Sequence, residues 1–119
     1  MDYNELFEKN LNELVEEEIK QAISLHGYFN SFHEFYAVLK EEIEESRDEF
    51  TGIEHTLNKI WKAVKSDTIA DHLIINLNKY TNQCIKELIQ VLAMINKLKI
   101  VEREKYKTLK VKDDDNGTI

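Results

Sequence analysis

The sequence contains no proline, only three glycines and a single cysteine among its 119 residues. Proline and glycine are the residues that most often end helices and form tight turns, so their scarcity predicts long helices and leaves little room for β-hairpins. One cysteine, Cys84, excludes an internal disulfide. No apolar run approaches the roughly 18–20 residues needed to cross a bilayer, and the acidic first residues do not resemble a signal peptide. We therefore expect a cytoplasmic protein with a reduced thiol and no membrane partner.

Basic side chains are also fewer than acidic ones. The chain has 23 acidic and 16 basic side chains, which give a formal net charge of −7. A general nucleic-acid surface needs clustered lysine and arginine to displace counterions, so DNA and RNA are not expected as partners. An acidic protein can still bind a phosphorylated small molecule when divalent cations lie between the two.

The first two helices carry start and stop signals. Apolar residues recur at helical spacing over 2–26, and Gly27 suits the position that ends a helix. Residues 31–34 read Ser-Phe-His-Glu, a capping box ahead of a second apolar run. That run keeps a 4-3 spacing as far as Lys65, which predicts one continuous second helix.

A third helix is expected after Ser66-Asp67-Thr68, which we interpret as its N-cap segment. Both long helices interrupt their apolar seam once, with Ser46 in the second and Glu87 in the third. We predict a single domain over 1–106 and a flexible polar tail over 107–119. The seam positions are Leu39, Ile43, Ser46, Phe50, Ile53, Leu57, Ile60 and Val64, then Leu73, Leu77, Tyr80, Cys84, Glu87, Val91, Met94 and Leu98.

These patterns predict an all-α fold, an antiparallel bundle of three main helices of which two are long. A helix of more than thirty residues is roughly 45–50 Å long at 1.5 Å per residue. A chain of this size does not cover two such helices along their full length. We therefore expect a second copy to bury the remaining seam, in a homodimer or homotetramer.

Acidic side chains are concentrated where the two long helices carry their polar entries. Glu42 and Glu45 lie three positions apart and share a helix face, as do Glu87 and Gln90. If the helices pack side by side at this level, four oxygen-bearing side chains converge. Oxygen ligands suit Mg²⁺ or Mn²⁺ rather than zinc, and Mg²⁺ commonly shares substrate phosphates. The pattern therefore indicates a metal site for a nucleotide's phosphate chain.

Structural interpretations compete with this one. Glutamate runs on helices are usually solvated faces, and Glu87 is equally explained as a buried acid paired with lysine or tyrosine. Glu34 is the natural capping partner of Ser31. His33 and Phe29 are each more often structural than substrate-binding, although their place near a turn favours contact with a ligand.

The segment 26–45, HGYFNSFHEFYAVLKEEIEE, resembles the first motif of the MazG-like all-α nucleotide pyrophosphohydrolases, in their short bacterial and phage branch. The segment 87–94, ELIQVLAM, is similar to the second motif of that branch. Together the two motifs cover about a quarter of the chain, in the family's order. In that family, E-x-x-E on one helix and E-x-x-D on the next hold Mg²⁺, and the enzyme cleaves between the α and β phosphates.

The resemblance implies roles for individual residues. Glu42, Glu45 and Glu87 match metal ligands, and Gln90 falls where the wider family has aspartate, so it offers a neutral and weaker carbonyl ligand. Either Glu41 or Glu34 is expected to accept the proton of the attacking water. The expected substrate contacts are Phe29 and His33, with Lys40 among the candidates for the phosphates.

Three hypotheses remain open, two of them functions and the third a purely structural oligomeric bundle with Glu87 in a buried ion pair. The first is a Mg²⁺-dependent hydrolase that converts a nucleoside triphosphate to a monophosphate and pyrophosphate, as nucleotide-pool housecleaning enzymes do. The second, which Gln90 favours, is a nucleotide-binding or protein-interaction module with little or no catalysis on the same scaffold.

Overall fold

Three helices make up the part of the chain that the computed structural model describes, residues 1–68 and 70–116, with side chains as far as residue 100. They are α1, Tyr3–His26, α2, Phe32–Lys65, and α3, Asp71–Asn116. These described residues contain no strand. The predicted all-α class is therefore confirmed, with two long helices as expected.

The first helix ends at the glycine that the sequence indicated, and the structure adds an N-cap at Asp2. The Asp2 carboxylate accepts a hydrogen bond from the Glu5 backbone N–H at 2.9 Å, which satisfies one of the free donors of the first turn. Gly27 adopts a left-handed φ of 72° and its N–H bonds the Ile23 carbonyl at 2.8 Å. A residue without a Cβ takes this conformation at little cost, so Gly27 ends the helix.

The second helix is capped by Ser31, whose hydroxyl accepts from the Glu34 N–H at 3.1 Å. It then continues without a break through Gly52, as predicted. A Cβ built on Gly52 would lie 2.6 Å from the Tyr80 ring. The glycine is therefore needed for the close approach of α3 at this level.

The segment after α2 differs from its prediction. Ser66, Asp67 and Thr68 do not cap α3, which begins only at Asp71. Instead they end α2 in a Schellman-type turn: the Thr68 N–H bonds the Ala63 carbonyl at 2.9 Å and the Asp67 N–H bonds Val64 at 3.0 Å. Asp67 holds the left-handed position with φ 53°, which aspartate tolerates better than most residues. The prediction of an N-cap was wrong because the same residue types also satisfy helix C-termini.

The backbone of α3 is helical as far as Asn116, well into the segment 107–119 for which the sequence predicts a flexible tail. That flexibility stays a prediction, and its last three residues lie outside the described part of the chain. Among the described residues, no helix combines the length and the apolar character that spanning a membrane requires.

The chain forms two compact units. The first contains Met1–Leu39 and the chain from Leu92 onward, and the second contains Lys40–Val91. The single domain predicted over 1–106 stays a prediction. Buried side chains in the first unit are Val15, Ile19, Phe29, Ala93, Met94 and Lys97. In the second unit they are Ser46, Thr56, Leu73 and Cys84.

One face of α2 in the second unit is left open. Ile43, Phe50, Leu57 and Val64 recur every seven residues and are 40–58% exposed. The intervening seam position Ser46 is buried, so only half of the predicted seam points inward. A heptad stripe of this kind is typical of a helix that packs against a further helix.

Candidate metal centre

Three carboxylates meet in the second unit. Glu42 and Glu45 come from α2 and Glu87 from α3, and one oxygen of each lies within 4.8 Å of the other two. We call these three residues the carboxylate cluster. The helical spacing explains the pair on α2, because residues three apart lie on one face. The convergence with Glu87 requires packing of the two helices, which the sequence-based prediction assumed.

Amide side chains surround Glu87. Gln83 Nε2 donates to Glu87 Oε1 at 3.0 Å, across one turn of α3. Oriented for hydrogen bonding, the Gln90 amide donates to Glu87 Oε2 at 2.8 Å and to Glu42 Oε2 at 3.1 Å. The expected structural alternative, a lysine or tyrosine partner for Glu87, does not occur among the described side chains. Glutamines fill that role instead.

The cluster is electrostatically crowded. Partial burial raises the pKa of the Glu45 carboxyl above its ordinary 4.5, and a hydrogen bond with Glu87 and the negative charge of Glu87 raise it further. Glu41 and Asp48 add smaller contributions in the same direction. A shared proton between Glu45 and Glu87 relieves this repulsion, and so does a bound cation. The arrangement therefore favours uptake of positive charge.

The three carboxylates can be compared with the coordination geometry that Mg²⁺ requires. Mg²⁺ binds oxygen ligands at about 2.1 Å in octahedral geometry, which places ligand oxygens roughly 3–4 Å apart. Oxygens that already lie within 4.8 Å of one another reach that spacing through small rotamer changes. Three carboxylates without histidine or cysteine suit a hard cation such as Mg²⁺ or Mn²⁺. The residues present therefore fit the metal that the sequence pattern predicts.

The orientation of the Gln90 amide decides whether this residue can act as a metal ligand. Its terminal amide lies against Glu42 and Glu87, and the orientation that satisfies the hydrogen bonds turns the nitrogen toward them. Rotation of the amide by half a turn presents the oxygen instead, so the same side chain can satisfy the carboxylates or contribute a neutral ligand. Its role as a ligand stays a prediction.

The two residues ahead of the cluster differ in their surroundings. Lys40 lies 3.9 Å from Glu44 in an exposed ion pair one turn along α2. Glu41 is exposed, and its charge contributes to the raised pKa of Glu45, so it lies near the cluster. Neither the phosphate contact expected of Lys40 nor the base role expected of Glu41 is tested by these contacts.

The remaining predicted residues belong to the first unit. Glu34 lies in the first turn of α2 and accepts a hydrogen bond from Asn30 Nδ2 at 3.3 Å. His33 is exposed beside it. Phe29 is only 3% exposed and packs edge to face against Phe35, with ring centroids 5.5 Å apart. Stacking of a base on Phe29 stays a prediction, and it would require the buried ring to be uncovered.

Lys97 is the residue that sequence reasoning missed. It is 3% exposed, and its ammonium nitrogen lies 4.2 Å from the centroid of the Phe29 ring. A signal was present in the sequence, since Lys97 follows the buried Ala93 and Met94 by four and three residues and so shares their helix face. Pattern reading passes over it because lysine is normally a surface residue.

The comparisons with known proteins identify no relative: no family model, no curated protein and no solved structure matches this chain. The carboxylate cluster and its hydrogen bonds therefore carry the functional argument.

Proposed function

We propose that this protein is a Mg²⁺-dependent nucleoside triphosphate pyrophosphohydrolase of the MazG-like type, acting in the nucleotide pool. The convergence of Glu42, Glu45 and Glu87 is the single observation that supports it most. The family resemblance assigns metal-binding roles to these same three residues, and it was drawn from the sequence alone. Two independent lines of reasoning therefore select one set of side chains.

In the proposed reaction, the three carboxylates would hold the metal, with Gln90 as a fourth and neutral ligand. A Mg²⁺ ion held there would supply neutralisation of phosphate charge and activation of a water for in-line attack on the α-phosphorus. Glu41 is the better supported acceptor for the proton of that water, because its charge already acts on Glu45. Glu34 is the less supported proton acceptor, because its carboxylate accepts a hydrogen bond from Asn30 and its backbone N–H donates to Ser31 at the start of α2.

A different observation supports the second candidate function, a binding module with weak or absent catalysis. When oriented for hydrogen bonding, the Gln90 amide satisfies Glu42 and Glu87 through two hydrogen bonds. A cluster stabilised in this way persists without a cation, as expected of a nucleotide-binding or protein-interaction module with weak or absent catalysis.

Release of pyrophosphate from a panel of ribo- and deoxyribonucleoside triphosphates with Mg²⁺ separates the two. We expect turnover by the natural sequence and a loss of about 100-fold or more in Glu87→Gln, because a charged metal ligand is removed. Glu54→Gln, which removes the charge of an exposed glutamate of α2 outside the cluster, is the control.

Circular dichroism of both variants checks that the helices remain. Nucleotide binding by calorimetry without turnover would favour the module, and turnover that survives Glu87→Gln would contradict the proposed metal centre.

We infer further that the long helices pack in antiparallel fashion and that a second copy covers the exposed stripe of α2. The connection between α2 and α3 is only five residues long, which favours antiparallel neighbours. A hairpin with Ile43, Phe50, Leu57 and Val64 exposed presents an apolar surface suited to a homodimer or homotetramer. Sedimentation equilibrium measures the oligomeric state directly, and a monomer at micromolar concentration would contradict the inference.

A cytoplasmic location likewise remains part of the proposal.

A further inference from the structure

A second exposed apolar stripe runs along α3 in the second unit, in addition to the stripe on α2. Its apolar members, Ile74, Ile85 and Leu88, are 52–56% exposed. Asn78 and Thr81 lie between them, so the five positions follow a spacing of 4, 3, 4 and 3. This is the heptad spacing of a helix that packs against a further helix. Both helices of the unit therefore carry a stripe that their mutual contact does not bury.

Contacts between α2 and α3 show how the two helices of this unit run. The Cys84 thiol donates to the Ser46 carbonyl at 3.7 Å. Further along α2, Gly52 lies against the ring of Tyr80. Residue numbers fall on α3 as they rise on α2, which is the order of contacts in an antiparallel pair.

The two stripes lie on the same side of this pair. On α2 each stripe residue directly follows an inward-facing one, as the exposed Leu57 follows the buried Thr56. On α3 the exposed Ile85 follows the buried Cys84 in the same way. Both helices are right-handed and run in opposite directions, so one step beyond a contact position leads to the same side in each. We call the combined surface the open face; it consists of Ile43, Phe50, Leu57 and Val64 with Ile74, Ile85 and Leu88.

The carboxylate cluster belongs to the opposite side of the pair. Glu45 comes one step before the buried Ser46, and Gln83, which donates to Glu87, comes one step before the buried Cys84. The step before a contact position leads away from the open face, by the same geometry. The α2–α3 pair therefore has one apolar side and one side that carries the acids.

The size and charge of the open face suit a second copy of this chain. From Ile43 to Val64 it is about 32 Å long at 1.5 Å per residue, and two helices about 10 Å apart make it about 20 Å wide, on the order of 600 Å². A stable interface buries roughly 800 Å² of accessible surface per partner, which a ridged face of this size supplies. Neither stripe contains a charged residue, although 33% of the chain is charged. Two copies with a net charge of −7 each can therefore meet at this face without placing like charges in contact.

We propose that the open face of one copy packs on the open face of a second copy, hairpin against hairpin, as the core of a four-helix bundle. The same patch serves both copies, as in a two-fold symmetric interface. The carboxylate cluster of each copy then lies on the outer side of this core and is complete without residues of the partner. The inference rests on the antiparallel packing and self-association proposed above, and it adds the face that is used and the independence of the two metal centres.

Sedimentation equilibrium of charge-inserting variants tests the face. Leu57→Asp on α2 and Leu88→Asp on α3 should each weaken association by about 100-fold or more, because a carboxylate would be buried in each copy. Leu25→Asp makes the same change at an exposed leucine of α1 outside the open face, and it should associate as the natural sequence does. Association that survives both open-face variants would overturn the proposal.

Intermolecular NOEs test the same face in the natural sequence, so the result does not depend on whether the aspartate variants fold. A mixture of ¹³C-labelled and unlabelled copies should give such NOEs from methyl groups of the open face, including those of Leu57, Ile74 and Leu88. Intermolecular NOEs from other surfaces, or none at all, would overturn the proposal.

Metal titration separates the open face from the proposed activity. Folded, dissociated Leu57→Asp should bind Mn²⁺ within about threefold of the natural sequence, because distant sites act independently. Loss of Mn²⁺ binding on dissociation would overturn the independence of the centres. Glu87→Gln should lose turnover and still associate. Turnover by a monomeric natural sequence would refute the open face alone, whereas association through the open face without turnover would refute the hydrolase alone.

Discussion

The two units of this protein handle charge in opposite ways. The second unit gathers Glu42, Glu45 and Glu87 within 4.8 Å, at a partly exposed position. The first unit buries one cation, Lys97, against an aromatic ring. In the second unit repulsion is shared among several groups and relieved by glutamine amides, while in the first the cost of burial falls on one group. The comparison teaches that a group of neighbouring acids and a single buried lysine place different electrostatic demands on the side chains around them.

After the loss of turnover expected for Glu87→Gln, the largest effect is expected at Gln90, the neutral side chain beside the carboxylate cluster. Gln90→Asp adds a charged ligand to the carboxylate cluster, so Mg²⁺ affinity should rise on the order of 10-fold. Calorimetric titration with Mg²⁺ or Mn²⁺ measures it. Asn82→Asp adds the same charge on an exposed face of α3 and serves as the control. Unchanged or weaker metal affinity in Gln90→Asp would show that the cluster is not directed at a metal.

A smaller effect is expected from the buried cation. Lys97→Met should raise the free energy of unfolding at neutral pH by about 1 kcal/mol, because the desolvation cost of the lysine charge is removed. Lys99→Met should change it by less than about 0.5 kcal/mol. Urea denaturation of both variants provides the comparison. If Lys97→Met is strongly destabilised instead, the cation contributes to packing in a way that the Phe29 contact does not explain.

The pH dependence of the same variant has a definite sign. Because burial lowers the pKa of Lys97 in the folded protein, the unfolded chain binds more protons between that lowered value and 10.5. The contribution of Lys97 to stability therefore increases as pH rises through this window. The stability advantage of Lys97→Met should shrink there, and a constant advantage would contradict the assigned cause.

The smallest effect is expected in the carboxylate cluster, at Glu45. Its pKa is raised above 4.5 in the folded protein, so its contribution to stability is complete below about 4.5 and is lost as pH rises through the raised value. Glu45→Gln should remove this loss and flatten the dependence of the unfolding midpoint on pH in that range. Glu54→Gln, exposed and outside the cluster, should retain the dependence of the natural sequence. An unaltered slope in Glu45→Gln would indicate that Glu87 or another acid carries the titration.

Local signals predicted much of the fold. Asp2, Gly27 and Ser31 set helix ends through bonds within four residues of themselves, so the sequence was sufficient for α1 and for the start of α2. The segment 66–68 was misinterpreted because Ser, Asp and Thr satisfy the donors of one helix end or the carbonyls of the other. The choice between them depends on where the next helix begins, which local pattern does not fix.

The candidate site likewise has features that the sequence predicted and features that only the packing of the helices shows. The sequence by itself determined the residues of the carboxylate cluster, because helical spacing brings Glu42 and Glu45 to one face and an acid in an apolar seam marks Glu87. Only the tertiary structure decided that the Gln90 amide lies against Glu42 and Glu87, that Phe29 is buried, and that Lys97 lies over its ring. The physical reason is that spacing along one helix is a local property. The burial of a charge depends on which other segments pack around it.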